Sequence, residues 1–415
     1  MQMPDAPRSG AGLTRREVLK RGSAFAAAAA VPSLLAARPA AGAGSTIKIG
    51  FIALTDCSSV VMAHELGHYK KRGLDVQLIK QASWPATRDA LLNGDIDMCH
   101  GLFSLPLSVA LGIGGSGSNK IKVAMMLNQN GQAITLKKDF ASAGYGNLKT
   151  AKAAIKGGEG QTFAMTFPGG THDTWLRYWL KAMGIDMSTP KIIPIPPPQM
   201  VANMQVGNMD GFCVGEPWNY RAIMDRIGFT ANTTQDLWKD HPEKTLGCTA
   251  EFVEKYPNTA RAMTAAVIDA GRWIDASLSN RRKTAETVAD KSYVNTDKEV
   301  ILARMLGRYD NGIGRTWDDP NYMKFYNDGY VTFPFLSDGM WFMTQHRRWG
   351  LLKEDVDYLA IAKKVNRIDL YKEAAAMTKT SLPKDPMRSA KLIDGVVWDG
   401  KDPKRYAGSF KIKVA

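Results

Sequence analysis

Between residues 47 and 102 the sequence alternates short apolar runs with amphipathic runs, and this alternation restricts the fold more than any other feature. The order is a strand at 47–54 (IKIGFIAL), a helix at 58–72, a strand at 74–80 (LDVQLIK), a helix at 85–93 and a strand at 96–102 (IDMCHGL). The first run is rich in β-branched and aromatic residues, as buried strands are. Short connections between such units favour a parallel sheet with helices on its faces. We therefore expect an α/β fold.

Two segments far apart in the chain share one pattern of a helix end, a glycine, an aspartate and a strand. The first is ALLNGDIDMCHG, which contains Gly94 and Asp97. The second is NMQVGNMDGFCVG, which contains Gly207 and Asp210. The pattern predicts two similar α/β lobes, although two α/β turns can also resemble each other by chance.

The rest of the chain changes character from mixed to helical. The middle is expected to add strands at 131–138, 161–167 and 191–198 and a helix at 171–183. Residues 251–378 carry apolar side chains at helical spacing and are expected to be mostly helical. The tail from Leu382 contains Pro, Gly and Asp-Gly turn signals, so we expect it to run over the surface.

The first residues have the features of an export signal. Residues 14–21 read TRREVLKR, an Ala-rich apolar run follows, and Ala-Gly-Ala ends at Ala43. A basic start, a short apolar stretch and small residues at the end are typical of a cleaved signal, here with cleavage near Gly44. The pair Arg15–Arg16 indicates twin-arginine export. Val18 stands where that pattern usually has phenylalanine, so the general secretory route stays open as the alternative.

Composition places the chain among ordinary globular proteins with a basic balance. Hydrophobic residues make up 45%, charged residues 23%, and the formal net charge is +14. The basic side chains are diffuse, which suits attraction of small anions or a solvated surface, and an exported protein meets little nucleic acid. The four cysteines (Cys57, Cys99, Cys213 and Cys248) form no C-x-x-C pair. We expect buried free thiols, although three pairings are open to four exported cysteines.

One motif points to metal chemistry. The segment HELGH (64–68) matches H-E-x-x-H, in which His64 and His68 would bind zinc from one helix and Glu65 would act as the base. The motif lies on the first helix of the α/β pattern, and no third ligand follows at the usual spacing. We therefore expect a surface helix, with a zinc metalloprotease as the remote alternative, and neither a metal nor a cofactor.

Polar residues at the edges of the predicted strands are the better candidates for a site. They are Trp84 in KQASWPATRD, Gln132 in LNQNGQAI, His172 in PGGTHD, Gly215 in FCVGEPWN and Lys244 in DHPEKTLG. Open α/β sheets bind ligands at such edges. Each residue alone is more often structural. Together they offer nearly only hydrogen-bond donors, which suits a small anion.

The same segments carry a resemblance to a known family. The segments QASWPATRD, TFPGGTHDTWLRYWL, PPPQMVANM, FCVGEPWN and WKDHPEKTLG resemble the nitrate- and bicarbonate-binding receptors of ABC importers. The likeness extends from about Ile47 to the C-terminus. It implies a type II-like periplasmic binding protein fold, with two α/β lobes, a ligand cleft between them and a helical C-terminal extension. The implied division is a signal at 1–43, the first part of lobe 1 at 44–131, lobe 2 at 132–245 and the completion of lobe 1 with the tail at 246–415.

The resemblance also implies the ligand and its contacts. In the nitrate receptors of the family a Trp, a Gln, a His, a Gly backbone and a Lys hold the ion, which matches Trp84, Gln132, His172, Gly215 and Lys244 here. The bicarbonate receptors place a calcium-binding acidic residue where Lys244 stands, so the lysine favours nitrate. The expected protein is a monomeric periplasmic receptor that delivers nitrate, or nitrite, to a membrane permease and is not an enzyme. The alternatives are a bicarbonate receptor and a nitrate-sensing regulatory protein.

Overall fold

The computed structural model describes residues 46–115 and 117–410, so the expected signal at 1–43 lies outside the described residues. The first elements are β1 (Ile47–Phe51), α1 (Ser58–Glu65), β2 (Val76–Lys80), α2 (Trp84–Asn93), β3 (Met98–Leu102), α3 (Ser104–Ala110) and β4 (Ile121–Met126). The predicted strand–helix alternation is confirmed, with shorter strands than the sequence indicated. The helix expected over 58–72 is wrong in its second half, because α1 ends at Glu65 and a single 3₁₀ turn follows at 70–72.

Local sequence explains the bounds of α2. The hydroxyl of Ser83 accepts a hydrogen bond from the backbone N–H of Ala86 at 3.3 Å, which satisfies one free donor of the first turn. Pro85 stands in that turn, where its missing N–H costs nothing. The helix ends at Gly94, whose φ of 79° is readily adopted by glycine.

A second set of strands and helices follows. Its elements are β5 (Gln132–Lys137), α4 (Leu148–Ala154), β6 (Thr162–Met165), α5 (Thr171–Ala182), β7 (Lys191–Pro194), α6 (Met200–Gln205), β8 (Gly211–Gly215), α7 (Trp218–Met224), β9 (Gly228–Thr233) and α8 (Thr234–Leu237). The strands and the helix predicted for this part are confirmed, but the strand expected over 191–198 ends at Pro194.

The C-terminal part is mostly helical, as predicted, but it contains two small hairpins that the sequence did not reveal. The elements are β10 (Lys244–Thr249), α9 (Ala250–Lys255), α10 (Pro257–Asp275), α11 (Leu278–Val288), α12 (Lys298–Met305), β11 (Arg308–Asp310), β12 (Thr316–Asp318), α13 (Leu336–Arg348), α14 (Tyr358–Val365), α15 (Ile368–Thr378), β13 (Ala390–Lys391), β14 (Val397–Trp398) and α16 (Pro403–Gly408). Among residues 46–115 and 117–410, no helix has the length and apolar character that crossing a bilayer requires.

The two large sheets repeat one topology. The first has the order β2-β1-β3-β10-β4 and the second has the order β7-β6-β8-β5-β9. In each sheet three neighbouring strands are parallel, and the fourth, β10 or β5, runs antiparallel to both of its neighbours. The chain leaves the first sheet between β4 and β5 and returns between β9 and β10, so two connections join the lobes.

The glycine–aspartate repeat has the same structural role in both lobes. Oδ2 of Asp97 accepts a hydrogen bond from the backbone N–H of Lys48 at 2.8 Å, and Oδ2 of Asp210 accepts one from Thr162, also at 2.8 Å. Lys48 lies in β1 and Thr162 lies in β6, the matching strand of the other sheet. The sequence repeat therefore reflects two lobes with one architecture rather than a chance likeness.

The C-terminal tail does not simply cover the surface. The guanidinium of Arg388 pairs with the carboxylate of Asp338 at 2.5 Å, and the indole N–H of Trp398 donates to the carbonyl of Ser337 at 3.0 Å. Asp338 and Ser337 belong to α13, and Trp398 is buried in the hydrophobic cluster of the second sheet. This packing had no signal in the sequence, because Trp398 is a single tryptophan outside any periodic pattern.

Helix α13 packs against elements next to both sheets within one hydrophobic cluster. The ring of Phe342 packs edge-on against Phe103, just before α3, at 5.8 Å between centroids and against Trp175 of α5 at 5.4 Å. The four cysteines are buried free thiols, as the sequence indicated. The lobe boundaries at residues 131 and 245 stay a prediction.

Candidate functional site

The residues that the sequence singled out lie at the points where the chain crosses between the sheets. Gln132 begins β5 directly after the first crossing, and Lys244 begins β10 directly after the second. Gly215 is the last residue of β8, which pairs with Gln132. His172 lies in the first turn of α5 and Trp84 begins α2. Contacts join Gln132, His172, Gly215 and Lys244 in one network, and Trp84 lies beside Lys244.

The side chains of His172 and Gln132 are directly bonded. Nε2 of His172 lies 2.9 Å from Oε1 of Gln132, and Nδ1 lies 2.7 Å from the hydroxyl of Thr166. Because an amide oxygen only accepts, Nε2 donates and Nδ1 accepts from Thr166. His172 is therefore held as a neutral ring with its N–H directed at Gln132.

Glycines allow the backbone to approach these side chains closely. A Cβ on Gly215 would lie 2.7 Å from Oε1 of Gln132, closer than real Cβ contacts. A Cβ on Gly170, immediately before α5, would lie 2.8 Å from the carbonyl of Phe167. The preceding residue, Gly169, has a φ of +74°, which favours glycine. The Pro-Gly-Gly segment thus brings the N-terminus of α5 close to strand β6.

Lys244 is not the free positive charge that the sequence suggested. Its Nζ lies 2.8 Å from Oδ2 of Asp56 and 2.8 Å from Oε1 of Glu243, and all three side chains are fully buried. The sequence predicted a site made almost only of hydrogen-bond donors. The structure adds the two carboxylates of Asp56 and Glu243, which that prediction did not include. A buried charge of this kind requires partners, and here the protein supplies them.

Asp56 was missed because it lies in the short turn after β1 and matches no motif. Its Oδ1 accepts from Nε2 of His100 at 2.7 Å, and its Oδ2 accepts from Lys244 and, at 3.3 Å, from Nε2 of Gln132. A polar residue directly after a buried parallel strand was the available signal, since ligand sites collect at that edge.

Glu243 directly precedes Lys244 in the sequence, and its partners come from a distant part of the chain. Its Oε1 accepts from the hydroxyl of Thr171 at 2.6 Å, and its Oε2 accepts from Nε1 of Trp175 at 3.0 Å. Both donors belong to the first turns of α5. Trp175 therefore contacts the site as well as the hydrophobic cluster.

The indole of Trp84 completes the group. The ring is fully buried, and Nζ of Lys244 lies 5.7 Å from its centroid. The ring also lies beside His100, with 5.6 Å between ring centroids. The indole N–H finds no acceptor among the residues that the structure describes. A buried N–H without an acceptor costs free energy. The indole N–H of Trp84 is therefore a candidate donor to a bound ligand.

Burial and the central ammonium set the charges of the site. Burial raises the pKa of the Asp56 and Glu243 carboxyls, but Lys244 and the neighbouring histidines together outweigh burial and hold both pKa values below the usual range. Burial lowers the pKa of the His172 ring to about 3, and Lys244 adds to this effect. Burial likewise lowers the pKa of His100. At neutral pH the centre therefore holds two carboxylates, one ammonium and neutral imidazoles.

The H-E-x-x-H motif does not form a zinc-binding helix. Helix α1 ends at Glu65 and the chain turns through Gly67, whose φ is +69°, so His68 is not one helical turn from His64. Within residues 46–115 and 117–410 no group of three or more His, Cys, Asp or Glu side chains is placed to hold a metal ion. The arrangement that a metalloprotease requires is therefore not formed.

Comparison with known proteins agrees with this architecture. The NMT1-like family profile matches residues 40–289. The nitrate/nitrite binding protein NrtA of Synechocystis sp. PCC 6803 is 39% identical over 388 residues, which cover 89% of this chain and 85% of NrtA. The bicarbonate-binding protein CmpA of Synechococcus elongatus is 30% identical over 400 residues, which cover 89% of this chain and 87% of CmpA.

A solved structure is also similar over nearly the whole fold. The crystal structure of the periplasmic nitrate-binding protein NrtA from Synechocystis PCC 6803 superposes with a TM-score of 0.84 at 37% identity, covering 88% of this chain and 98% of that chain. Two α/β lobes with a buried polar site where they meet define a solute-binding protein with the periplasmic binding protein fold. The chain belongs to the NMT1-like family, and the resemblance to the nitrate- and bicarbonate-binding receptors is confirmed.

Proposed function

We propose that this protein is a periplasmic receptor that captures nitrate, or nitrite, and delivers it to the membrane permease of an ABC importer. The observation that carries the proposal is the convergence of the five predicted residues on one buried centre between the lobes. In this proposal Trp84, Gln132, His172, Gly215 and Lys244 hold the ion. The 39% identity to a nitrate/nitrite binding protein supports the same assignment.

The chemistry of the centre suits a small planar oxyanion. Nitrate carries one negative charge and accepts hydrogen bonds at all three oxygens, and desolvating it requires donors in place of water. Trp84 offers a buried N–H that finds no acceptor within residues 46–115 and 117–410, and Gln132, His172 and Lys244 offer further N–H groups. Helix α5 points its N-terminus toward this region, which contributes about 0.3–1 kcal/mol for an anion.

A binding role without catalysis is part of the proposal. The relative NrtA is a nitrate/nitrite binding protein, which supports a binding role. Its crystal structure is that of a periplasmic protein, which supports a periplasmic location. Twin-arginine export through Arg15 and Arg16 and a monomeric state remain predictions from the sequence. The nitrate-sensing regulator is disfavoured because such a protein needs no export signal.

Calorimetric titration tests the proposed ligand. Residues 41–415 form one compact unit, so a protein without the first 40 residues is suitable. We expect nitrate and nitrite to bind after metal removal. Binding of bicarbonate alone, and only with calcium, would contradict the proposal and would make Glu243 and Asp56 the candidate calcium ligands.

Substitution tests the proposed contacts. His172→Ala should weaken nitrate binding by about 1–3 kcal/mol, because a buried donor is lost and its partner Gln132 is left unsatisfied. The matched control is His64→Ala on helix α1, outside this centre, which should leave the affinity unchanged. Equal nitrate affinities for wild type and His172→Ala would remove His172 from the site.

A further inference from the structure

The carboxylate of Asp56 uses the same donors that the proposed ligand needs. Its Oδ2 lies 2.8 Å from Nζ of Lys244 and 3.3 Å from Nε2 of Gln132. The same oxygen would lie 3.1 Å from a Cβ on Gly215. Three of the five proposed ligand residues therefore surround one anionic oxygen that belongs to the protein.

Asp56 can give up these donors without losing its own anchor. Its other oxygen, Oδ1, accepts from Nε2 of His100 at 2.7 Å. Nδ1 of His100 faces the backbone N–H of Ile52 at 3.4 Å, so Nδ1 is the acceptor and Nε2 carries the proton. The bond to His100 can hold one carboxylate oxygen while the other moves away from Lys244.

Glu243, the second carboxylate of the centre, is held differently. Thr171 and Trp175 donate to separate oxygens of Glu243, at 2.6 Å and 3.0 Å, in addition to the contact from Lys244. Both oxygens are thus fixed by donors from α5. Glu243 is therefore held in place as a permanent counter-ion of Lys244, whereas Asp56 has one oxygen that can move away from Lys244.

The contact between Asp56 and Lys244 lies at the edge of one sheet. Asp56 follows β1 and Lys244 begins β10, and both strands belong to the first sheet. Gln132 belongs to the second sheet. The Asp56–Lys244 pair therefore does not depend on contact between the lobes, and it can form before the second lobe reaches the ligand.

We propose that Asp56 is an internal competitor for the oxyanion: its Oδ2 occupies the donors of Lys244 and Gln132 until the ligand displaces it. This inference rests on the proposed function and adds a residue that determines affinity and specificity. A carboxylate and nitrate are both planar anions with acceptor oxygens, so they compete for the same N–H groups. An anion then binds only where its contacts with the whole centre outweigh the contacts that Asp56 gives up, while Glu243 keeps Lys244 paired throughout.

The test compares Asp56→Asn with wild type by calorimetric titration. The amide keeps the shape of the side chain and removes its charge, so we expect nitrate to bind at least tenfold tighter. Asp269→Asn is the control: Asp269 is an ion-paired carboxylate on α10, bonded to Arg72 at 2.5 Å, and its substitution should leave the affinity unchanged. Unchanged or weaker nitrate binding by Asp56→Asn would overturn the competition.

Wild-type binding and the ratio between variant and wild type answer separate questions. Failure of the wild type to bind nitrate would contradict the proposed function. The Asp56→Asn ratio tests competition with whichever anion the wild type binds, nitrate or bicarbonate.

A measurement on the wild type avoids reliance on the folding of the variant. Infrared difference spectra of protein labelled with [4-¹³C]aspartate should show a shift of an aspartate carboxylate band when the anion is added. Aspartate bands that do not change on binding would show that Asp56 is not displaced.

Discussion

Nε1 of Trp175 donates a hydrogen bond to Oε2 of Glu243 at 3.0 Å while its ring stacks on Trp341 at 5.3 Å between centroids. One side chain thus connects the hydrophobic cluster around α13 with the charged centre of the site. The position of Glu243, and through it that of Lys244, depends on how this cluster is packed.

Trp175→Phe should lower both stability and ligand affinity. The change keeps an aromatic ring in the cluster but removes the donor to a buried carboxylate, which costs about 1–3 kcal/mol of unfolding free energy. Nitrate binding should weaken because Glu243 then competes more strongly for Lys244. Urea unfolding and calorimetric titration measure the two effects.

Trp179→Phe is the matched control for this change. Trp179 lies one turn further along α5 and donates to Oδ1 of Asn232 at 2.8 Å, away from Glu243. It should show a similar loss of unfolding free energy with unchanged nitrate affinity. If both variants bound nitrate equally well, the link from the cluster to the site would be wrong.

Lys244→Met should be severely destabilising and should abolish nitrate binding. It leaves Asp56 and Glu243 buried without a cation, and breaking a buried pair in this way costs about 3–5 kcal/mol. Lys137→Met is the control, because Lys137 pairs with Asp210 at 2.6 Å but its side chain is 32% exposed. Such a pair is worth about 0–1 kcal/mol. Similar unfolding free energies for the two variants would contradict the assigned charges.

Gly215→Ala should weaken nitrate binding at least tenfold without unfolding the protein. The added Cβ would lie 2.7 Å from Oε1 of Gln132, so the amide has to move away from its place beside His172. Gly115→Ala is the control, since a Cβ there meets nothing within 4 Å. Calorimetric titration with nitrate measures the affinity of each variant. Equal affinities for both variants would show that Gln132 can move freely.

The sequence predicted the frame of the molecule because strand–helix alternation and the glycine–aspartate repeat are local signals. The five residues proposed for the site came from the strand edges and from the resemblance of the segments that carry them, and their roles as ligand contacts stay a prediction. The sequence did not predict that Asp56 and Glu243 enclose Lys244. Asp56 is separated from Lys244 by a complete lobe of sequence, and only the sheet order, which places β10 beside β3, brings the two together. The same limit applies to Trp398, whose burial depends on α13.

Stability should fall as the pH is lowered from neutral, and the sign follows from the buried histidines. Burial lowers the pKa of His172 to about 3 and that of His241 to about 4, whereas an unfolded histidine titrates near about 6.5. Between these values the unfolded chain binds protons that the folded protein does not, so acid favours unfolding. Asp56 and Glu243 act in the same direction, because their lowered pKa values stabilise the fold above about pH 4 and this contribution is lost below it.

Urea unfolding at pH 7, 6 and 5 checks this expectation without any ligand. The unfolding free energy should decrease at each step. For His172→Gln it should decrease less steeply, because the unfolded chain then has one histidine fewer to bind a proton. The comparison of slopes matters more than the absolute stability, since the glutamine also alters the contact with Gln132. An unfolding free energy that rose between pH 7 and pH 5 would mean that the histidines are protonated in the folded protein, and the centre would then carry more positive charge than the contacts of Lys244 indicate.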